Sequence, residues 1–438
     1  MQTGALTAAD PTQVGRVVRG GIPSTCVGKS NALQNTTPVN QDSYTFTAPV
    51  TGCATVEFNA LACGGATTQA VAYSTFDPAN PATNVIGDFG FSTIGMASFS
   101  FPVTSGQNFT VVIHDILETP TNVFCASYTF TISYRTGCRQ AGYDRSNDGK
   151  ADPTYFRPSN GTWNVLNSAG GTNTLLFGLS GDIITAGDYT GDGQTDVSTY
   201  RSAANTWFYS TSQTTPQSNV TYVPWGVSGD IPVPSDYDRD GKSDVAVWRP
   251  SDGFWYVLRS SNNTVLYRQW GANGDTPVTG DFDGDLINDF VIVRPNEAGV
   301  TPNYQWYLLQ SNFDYGFPLT TRWGTAGDRI VPGDYDGNGK TDIAVFRPSD
   351  GIWYVIPSNA STAINTARLG FQWGMIGDIP QPADYDGDKR TDYAVFRPST
   401  GVWYISNSNN GTYNTFSAPT WGTSTDQPAT SPYRITNP

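Results

Sequence analysis

The chain has 438 residues, more than a single ordinary core accommodates, so two or three domains are expected. Aromatic residues make up 13% and charged residues only 14%, with 46 Gly and 29 Pro. A disordered tail would carry far fewer rings and a helical bundle far more Glu, Lys and Leu. The net charge of −14 rests almost wholly on Asp, since only three Glu occur, and it argues against nucleic acid or an anionic membrane as main partner.

With three Glu and five Lys, strong helix formers are scarce, whereas Thr, Val, Tyr, Phe and Trp alternate between turn residues; the expected class is all-β. No apolar run approaches the length of a membrane-spanning helix. The opening MQTGALTAADP lacks the basic and apolar parts of a signal peptide, and the expectation is that a signal was removed or replaced by Met1. Cys26, Cys53, Cys63, Cys125 and Cys138 all lie in the first third, without metal-type spacing. In a β-rich chain they imply an oxidising compartment, two disulfides in one of three pairings, and one odd thiol, with Cys138 the candidate.

Residues 1–22 read as an N-terminal arm. From 23 to 137, short period-2 segments (Ser43–Ala48, Cys53–Phe58, Gln69–Ser74, Met96–Val103, Phe109–His114, Cys125–Tyr134) predict a β-sandwich. The run DSYTFTAPVTGCATVEF, with FSFPVTSGQNFTVVIHD and ASYTFTISY, resembles the pre-peptidase C-terminal type of bacterial sandwich. That resemblance implies a secreted accessory domain more than any chemistry. Residues 138–142 read as a linker.

From 143 to 438 a unit repeats six times. Each copy has a nine-residue acidic loop, a short apolar strand ending in Arg, a strand carrying Trp, and a strand ending in Trp-Gly or Phe-Gly. A GDIPVP-like segment then leads to the next loop. Such units cannot bury both faces alone, and stacking them around an axis predicts a β-propeller of six blades, with seven as the alternative. The final DQPATSPYRITNP has no loop of its own and is expected to complete the ring as a strand of the first blade.

In the third loop, DYDRDGKSD, carboxylates fall at positions 1, 3, 5 and 9 (Asp236, Asp238, Asp240, Asp244), with the Lys242 carbonyl at position 7. Alternating oxygen ligands around a turn glycine suit a hard cation, and Ca²⁺ better than Mg²⁺. These loops resemble the FG-GAP/VCBS repeats of integrin-α-like propellers. That resemblance implies Asp281, Asp283, Asp285, the Ile287 carbonyl and Asp289 in loop four. In loop five it implies Asp334, Asp336, Asn338, the Lys340 carbonyl and Asp342, and in loop six Asp384, Asp386, Asp388, the Arg390 carbonyl and Asp392. Loops one (Asp144, Ser146, Asp148, Lys150, Asp152) and two (Asp188, Thr190, Asp192, Gln194, Asp196) have a hydroxyl at position 3 and are expected to bind more weakly. Leu286 and Lys389 replace the turn glycine, with backbone strain expected. Up to six Ca²⁺ would bring the charge from −14 to −2.

Each unit also carries an Arg (Arg157, Arg201, Arg249, Arg294, Arg347, Arg397) and a GD-type Asp (Asp182, Asp230, Asp275, Asp328, Asp378, Asp426), expected to pair within or between blades. Catalysis has little support. The one histidine, His114, lies in the sandwich and is expected at a strand end, and Glu297 is the one glutamate after residue 142. No catalytic residue is assigned. The expected function is a secreted or cell-surface, calcium-stabilised binding or adhesion module, lectin-like in reading glycan or protein through loops such as Asn296–Tyr304 and Asn359–Arg368. The alternatives are a subunit of an extracellular assembly or filament and, third, a polysaccharide-active enzyme.

Overall fold

The structure is a computed structural model. It describes residues 143–430 except 147, 212–213, 296–302, 312–317, 359–368, 409–412 and 414. Before these it describes 2–4, 6, 10–17, 33–49, 52–59, 68–81, 84–88, 96–115 and 127–135. The chain divides into two compact units, Met1–Cys138 and Arg139–Pro438.

The first unit is a sandwich of two antiparallel sheets. One holds Gln2–Gly4, Tyr128–Arg135, Gly52–Asn59 and Met96–Val103 in that order; the other holds Thr12–Val17, Leu33–Thr47, Asn108–Asp115, Thr68–Tyr73 and Val85–Asp88. Period-2 alternation sends Val56, Phe58 and Phe130 of one sheet and Ala70, Ala72, Val111 and Ile113 of the other into a shared buried cluster. Residues 1–22 therefore contribute two strands to the sandwich instead of standing apart as an arm. Gln2–Gly4 and Thr12–Val17 are too short to mark themselves as strands, and their partners decide. His114 stands at the end of Asn108–Asp115, as expected, but its side chain is fully buried instead of lying at the surface. The sulfur chemistry lies outside what is described: Cys26, Cys63, Cys125 and Cys138 fall in undescribed segments, and Cys53 is placed by its backbone alone.

The second unit is a propeller of six four-stranded antiparallel blades. From the axis outward, blade 2 is Ile183–Ile184, Ser198–Arg201, Thr206–Ser210 and Val220–Pro224. Blades 3 to 6 repeat this from Ile231–Pro232, Thr276–Val278, Arg329–Ile330 and Ile379–Pro380. Blade 1 takes its inner strand from the far end of the chain: Gln427–Pro428 pairs with Thr154–Arg157, so the ring closes by joining the last segment to the first blade. The inner strands converge on an axial cavity of about 500 Å³, lined by residues of every blade, among them Ile183, Pro232, Thr279, Arg329, Ile379 and Gln427.

Burial explains the layering. In blade 3 the second strand, VAVWR, is buried on both faces up to Arg249; the third, FWYVL, alternates; the outer, VLYRQ, exposes every second residue. Trp163, Trp207, Trp255, Trp306, Trp353 and Trp403 are fully buried at the same place in successive blades. A large ring there removes ~150–250 Å² from water, which supplies much of the driving force for stacking.

A second set of indoles clasps neighbouring blades. The Trp-Gly tryptophans donate Nε1–H across the junction to a backbone carbonyl of the following blade: Trp225 to Tyr256 (3.2 Å), Trp270 to Tyr307 (3.2 Å), Trp323 to Tyr354 (2.9 Å), Trp373 to Tyr404 (3.0 Å) and Trp421 to Asn164 (3.2 Å). The last spans the ring closure. Between blades 1 and 2 the position is Phe177, which has no N–H to give.

The Arg and Asp rings pair within blades. Arg397 Nε and Nη2 donate to Asp378 Oδ1 and Oδ2 at 2.7 and 2.8 Å, and five equivalent forks recur, Arg157 reaching Asp426 on the closing strand. Each guanidinium also lies over an aromatic ring of its blade, 4.2 to 5.1 Å from the centroid. These charges rivet inner to second strands.

Candidate metal centres

Loops two to six each connect an inner strand to a second strand, loop one leads into the second strand of blade 1, and the aspartates of the loops divide into three jobs. The position-9 carboxylates (Asp152, Asp196, Asp244, Asp289, Asp342, Asp392) are buried, at most 1% exposed. Each accepts the N–H of position 2 at 2.7–2.9 Å, which folds the loop back on itself. In five blades the other oxygen accepts the N–H of a serine just past the third strand: Ser168, Ser260, Ser311, Ser358 and Ser408.

Position 1 gathers the turn. Asp281 accepts from Gly284 and Leu286, Asp334 from Asn338 and Gly339, and Asp384 from Gly387 and Lys389. Position 5 accepts the N–H of position 7, as Asp240 does from Lys242 and Asp388 from Arg390. Two residues of the turn take left-handed backbone, and the structure keeps φ near +70° at Leu286 and Lys389 where other loops have Gly. A non-Gly residue there costs about 1–3 kcal/mol.

In loops three to six, three carboxylates converge so that one oxygen from each lies within 4.8 Å of the others. The sets are Asp236, Asp238 and Asp244; Asp281, Asp283 and Asp285; Asp334, Asp336 and Asp342; Asp384, Asp386 and Asp392. These clusters are able to hold metal ions. Asp240, Asn338 and Asp388 at position 5, and Asp289, stand in the same loops. Side chains at position 7 (Lys242, Ile287, Lys340, Arg390) contribute only their backbone to the turn. Loops one and two bring no such triad together among the described residues: Ser146 and Thr190 stand where a carboxylate is needed, and Ser168 Oγ bridges Asp148 and Asp152 at 3.0 and 2.7 Å.

Crowded, buried carboxylates resist ionisation. Burial first, and Asp281 and Asp283 next, hold Asp289 well above the usual carboxylate range. Burial, then repulsion from Asp336 and from Asp386 respectively, pushes Asp342 and Asp392 up to about 8. Asp244, Asp196 and Asp384 are pushed to about 7, chiefly by burial, and Asp336 to about 6, by burial and then Asp334. A cation among these groups reverses that preference.

The loops are chained to one another. The position-8 N–H of each donates to the position-1 carbonyl of the preceding blade's loop: Thr195 to Asp144, Ser243 to Asp188, Asn288 to Asp236, Thr341 to Asp281, Thr391 to Asp334, and Ala151 to Asp384 across the closure, all at 2.6–2.9 Å. Position 7 also reaches backward. A Cβ on Gly191 would meet Lys242, on Gly284 Lys340, on Gly337 Arg390 and on Gly387 Lys150, each within 3.2 Å. Where position 4 is not Gly (Asn147, Arg239), the following loop offers the neutral Gln194 or Ile287. The cationic stems thus occupy slots that only glycine leaves open, and Arg390 favours the ionised form of Asp336 in the preceding loop.

Three parts of this arrangement escape the nine-residue loop pattern. The serine has a plain signal, since it stands five residues after the blade tryptophan in all six units (Ser168, Ser212, Ser260, Ser311, Ser358, Ser408). The match between positions 4 and 7 is visible only when adjacent units are compared, and the loop-to-loop hydrogen bonds involve backbone and leave no mark. Glu297 and most of the loops Asn296–Tyr304 and Asn359–Arg368 lie outside the described residues.

No protein-family model matches the chain, and no curated protein matches it. Solved structures that resemble it include a Streptogramin B lyase (10% identity, TM-score 0.41, 68% of this chain and 94% of that one). Others are virginiamycin B lyase from Staphylococcus aureus (10%, 0.37, 63% and 86%) and the Cps50 (Swd1) beta-propeller domain of Myceliophteria thermophila (8%, 0.31, 62% and 87%). Likeness at this level distinguishes neither family nor activity.

Proposed function

We propose that this chain is a calcium-stabilised binding module of the FG-GAP/VCBS type, secreted or displayed at the cell surface, that recognises an extracellular protein or glycan. The observation that carries the reading is the fourfold recurrence of a carboxylate triad at one place in successive blades, joined by hydrogen bonds from loop to loop. Oxygens around a calcium ion at 2.3–2.6 Å lie no more than about 5 Å apart. The triads meet that span at 4.8 Å. On this reading position 7 would add its backbone carbonyl to an all-oxygen set, which suits Ca²⁺ better than the small octahedral shell of Mg²⁺. At free calcium ten times its Kd, each filled site would stabilise the folded state by about 1.4 kcal/mol. The role is structural, since each loop ties its own blade to the preceding one.

Binding, not turnover, fits the remaining chemistry. Every fork arginine is engaged with a buried aspartate, and the loop aspartates are committed to the turns they fold. Rigid blades with variable connections suit recognition. The test is a panel of extracellular proteins and glycans screened against the whole chain in calcium and in EDTA. Saturable binding that is lost with the cation supports the reading; polysaccharide turnover abolished by one point substitution overturns it.

A further inference from the structure

The six inner strands act as internal controls for one another, and one of them differs. Immediately after the fork aspartate, five blades carry an uncharged residue: Gln427, Ile183, Ile231, Thr276 and Ile379. Blade 5 carries Arg329. Closing the ring therefore needs no charge at this position. Arg329 is half-buried and lines the axial cavity of about 500 Å³, a volume typical of a small-ligand site. Its guanidinium has no hydrogen-bond or ion-pair partner among the described residues. The adjacent Asp328 gives both oxygens to Arg347 at 2.8 and 2.9 Å, and Asp182, the other charged residue of the lining, gives both to Arg201 at 2.8 Å. Burial alone acts on Arg329, holding it below the usual arginine range with no carboxylate to offset it. A partly desolvated cation without a counter-charge carries a free-energy cost that a bound anion would return. Elsewhere the lining is mixed: Ile183, Val233, Ile379 and Pro428 present hydrocarbon, while Thr279 and Gln427 supply a hydroxyl and an amide.

We propose that the axial cavity binds a small monocarboxylic acid with an apolar body, its carboxylate paired with Arg329. One unpaired cation calls for one negative charge. The planar guanidinium fork matches a carboxylate, taking both oxygens at once. The aliphatic side chains around it favour hydrocarbon over a sugar ring, whose hydroxyls would lose water without finding enough partners. This site differs in place and ligand from extracellular recognition through the propeller loops, so either can hold without the other.

The test uses the full chain in calcium, with benzoate and hexanoate as probes. Benzamide serves as the neutral isostere of benzoate, and inorganic phosphate and glucuronate as rival anions; ligand-observed NMR and calorimetry read the affinities. At least one of the two carboxylates is expected to bind saturably, and more tightly than benzamide, phosphate or glucuronate. Arg329→Ile installs the residue that blades 2, 3 and 6 carry at this place. It should lower carboxylate affinity by about tenfold or more, the worth of a charge-assisted hydrogen bond, with the melting temperature unchanged or raised. Arg329→Lys keeps the charge without the fork and should fall between the two. Arg322→Gln, an equal loss of charge at an exposed position on the outer strand of blade 4, should leave the affinity as it is. Absence of saturable carboxylate binding, or equal affinity in well-folded Arg329→Ile, overturns the proposal. So does benzamide binding as tightly as benzoate, or tighter binding of phosphate or glucuronate, which would mark an inorganic-anion or acidic-sugar site. Partners found on the extracellular panel while neither carboxylate binds would sink this inference and leave the binding-module reading intact.

Discussion

Replacing Asp336 by Asn (D336N) separates the two jobs assigned to the loop carboxylates. Asp336 shares its triad with Asp334 and Asp342; it accepts hydrogen bonds from Asn338 and is hydrogen-bonded to Asp334 within the triad. Without a cation its carboxyl is pushed to about 6, first by burial and then by Asp334. One pKa unit is ~1.4 kcal/mol, so the displacement corresponds to about 3 kcal/mol, reduced to about 1–2 by solvent screening at a half-buried site. In EDTA, D336N should therefore stabilise the propeller by about 1–2 kcal/mol. For 300 residues with an unfolding entropy of about 2.1 cal/mol/K each, that is a rise of ~2–3 °C. In saturating calcium the sign reverses, because the site has lost a ligand and forfeits roughly 1.4 kcal/mol or more of linked stabilisation. Differential scanning calorimetry in the two buffers reads both numbers. A shift of the same sign in EDTA and in calcium would refute the reasoning.

The position-9 carboxylates of loops two to six, Asp196, Asp244, Asp289, Asp342 and Asp392, have raised pKa values in the cation-free protein, so the folded state binds more protons than the unfolded one. Cation-free stability should fall as pH rises from about 4 through 7–8, where Asp244, Asp342 and Asp392 ionise. The calcium-minus-EDTA difference in melting temperature should accordingly grow from pH 5 to pH 8, and calcium binding should release protons, measured calorimetrically in buffers of different ionisation enthalpy. Trp373→Phe removes the N–H that clasps Tyr404 at 3.0 Å and is expected to cost about 1–2 kcal/mol in chemical denaturation. Gly337→Ala forces a Cβ onto left-handed backbone at φ +70° and to 2.8 Å from Arg390, and Gly377→Ala meets the same backbone strain at φ +90° in open space, so both should lose about 1–3 kcal/mol of stability, while calcium titration should show weakened cation affinity for Gly337→Ala alone.

Most of the architecture is legible in the sequence because the physics repeats. A tryptophan buried once is ambiguous; buried at the same offset from an aspartate loop six times, it fixes blade number and register. The closing strand is legible for the same reason, since DQPAT matches a GDIPVP segment that lacks a blade of its own. What stays hidden depends on contacts between units. Nothing inside DYDRDGKSD says that Ser243 will hydrogen-bond to Asp188, or that Lys242 will lie over Gly191, because those partners belong to the preceding repeat. The two strands in residues 1–22 fall to the same limit: Gln2–Gly4 becomes a strand through pairing with Tyr128–Arg135, more than a hundred residues away. Phe177 is conspicuous only beside its five tryptophan counterparts.

The direct measure of the cation account is metal content paired with thermal unfolding on one preparation. After dialysis against calcium and removal of the free ion, elemental analysis should find at least four Ca²⁺ per chain, and the propeller transition should drop by several degrees on adding EDTA and recover on adding calcium back. Superimposable melting curves, with no bound metal retained, would contradict it.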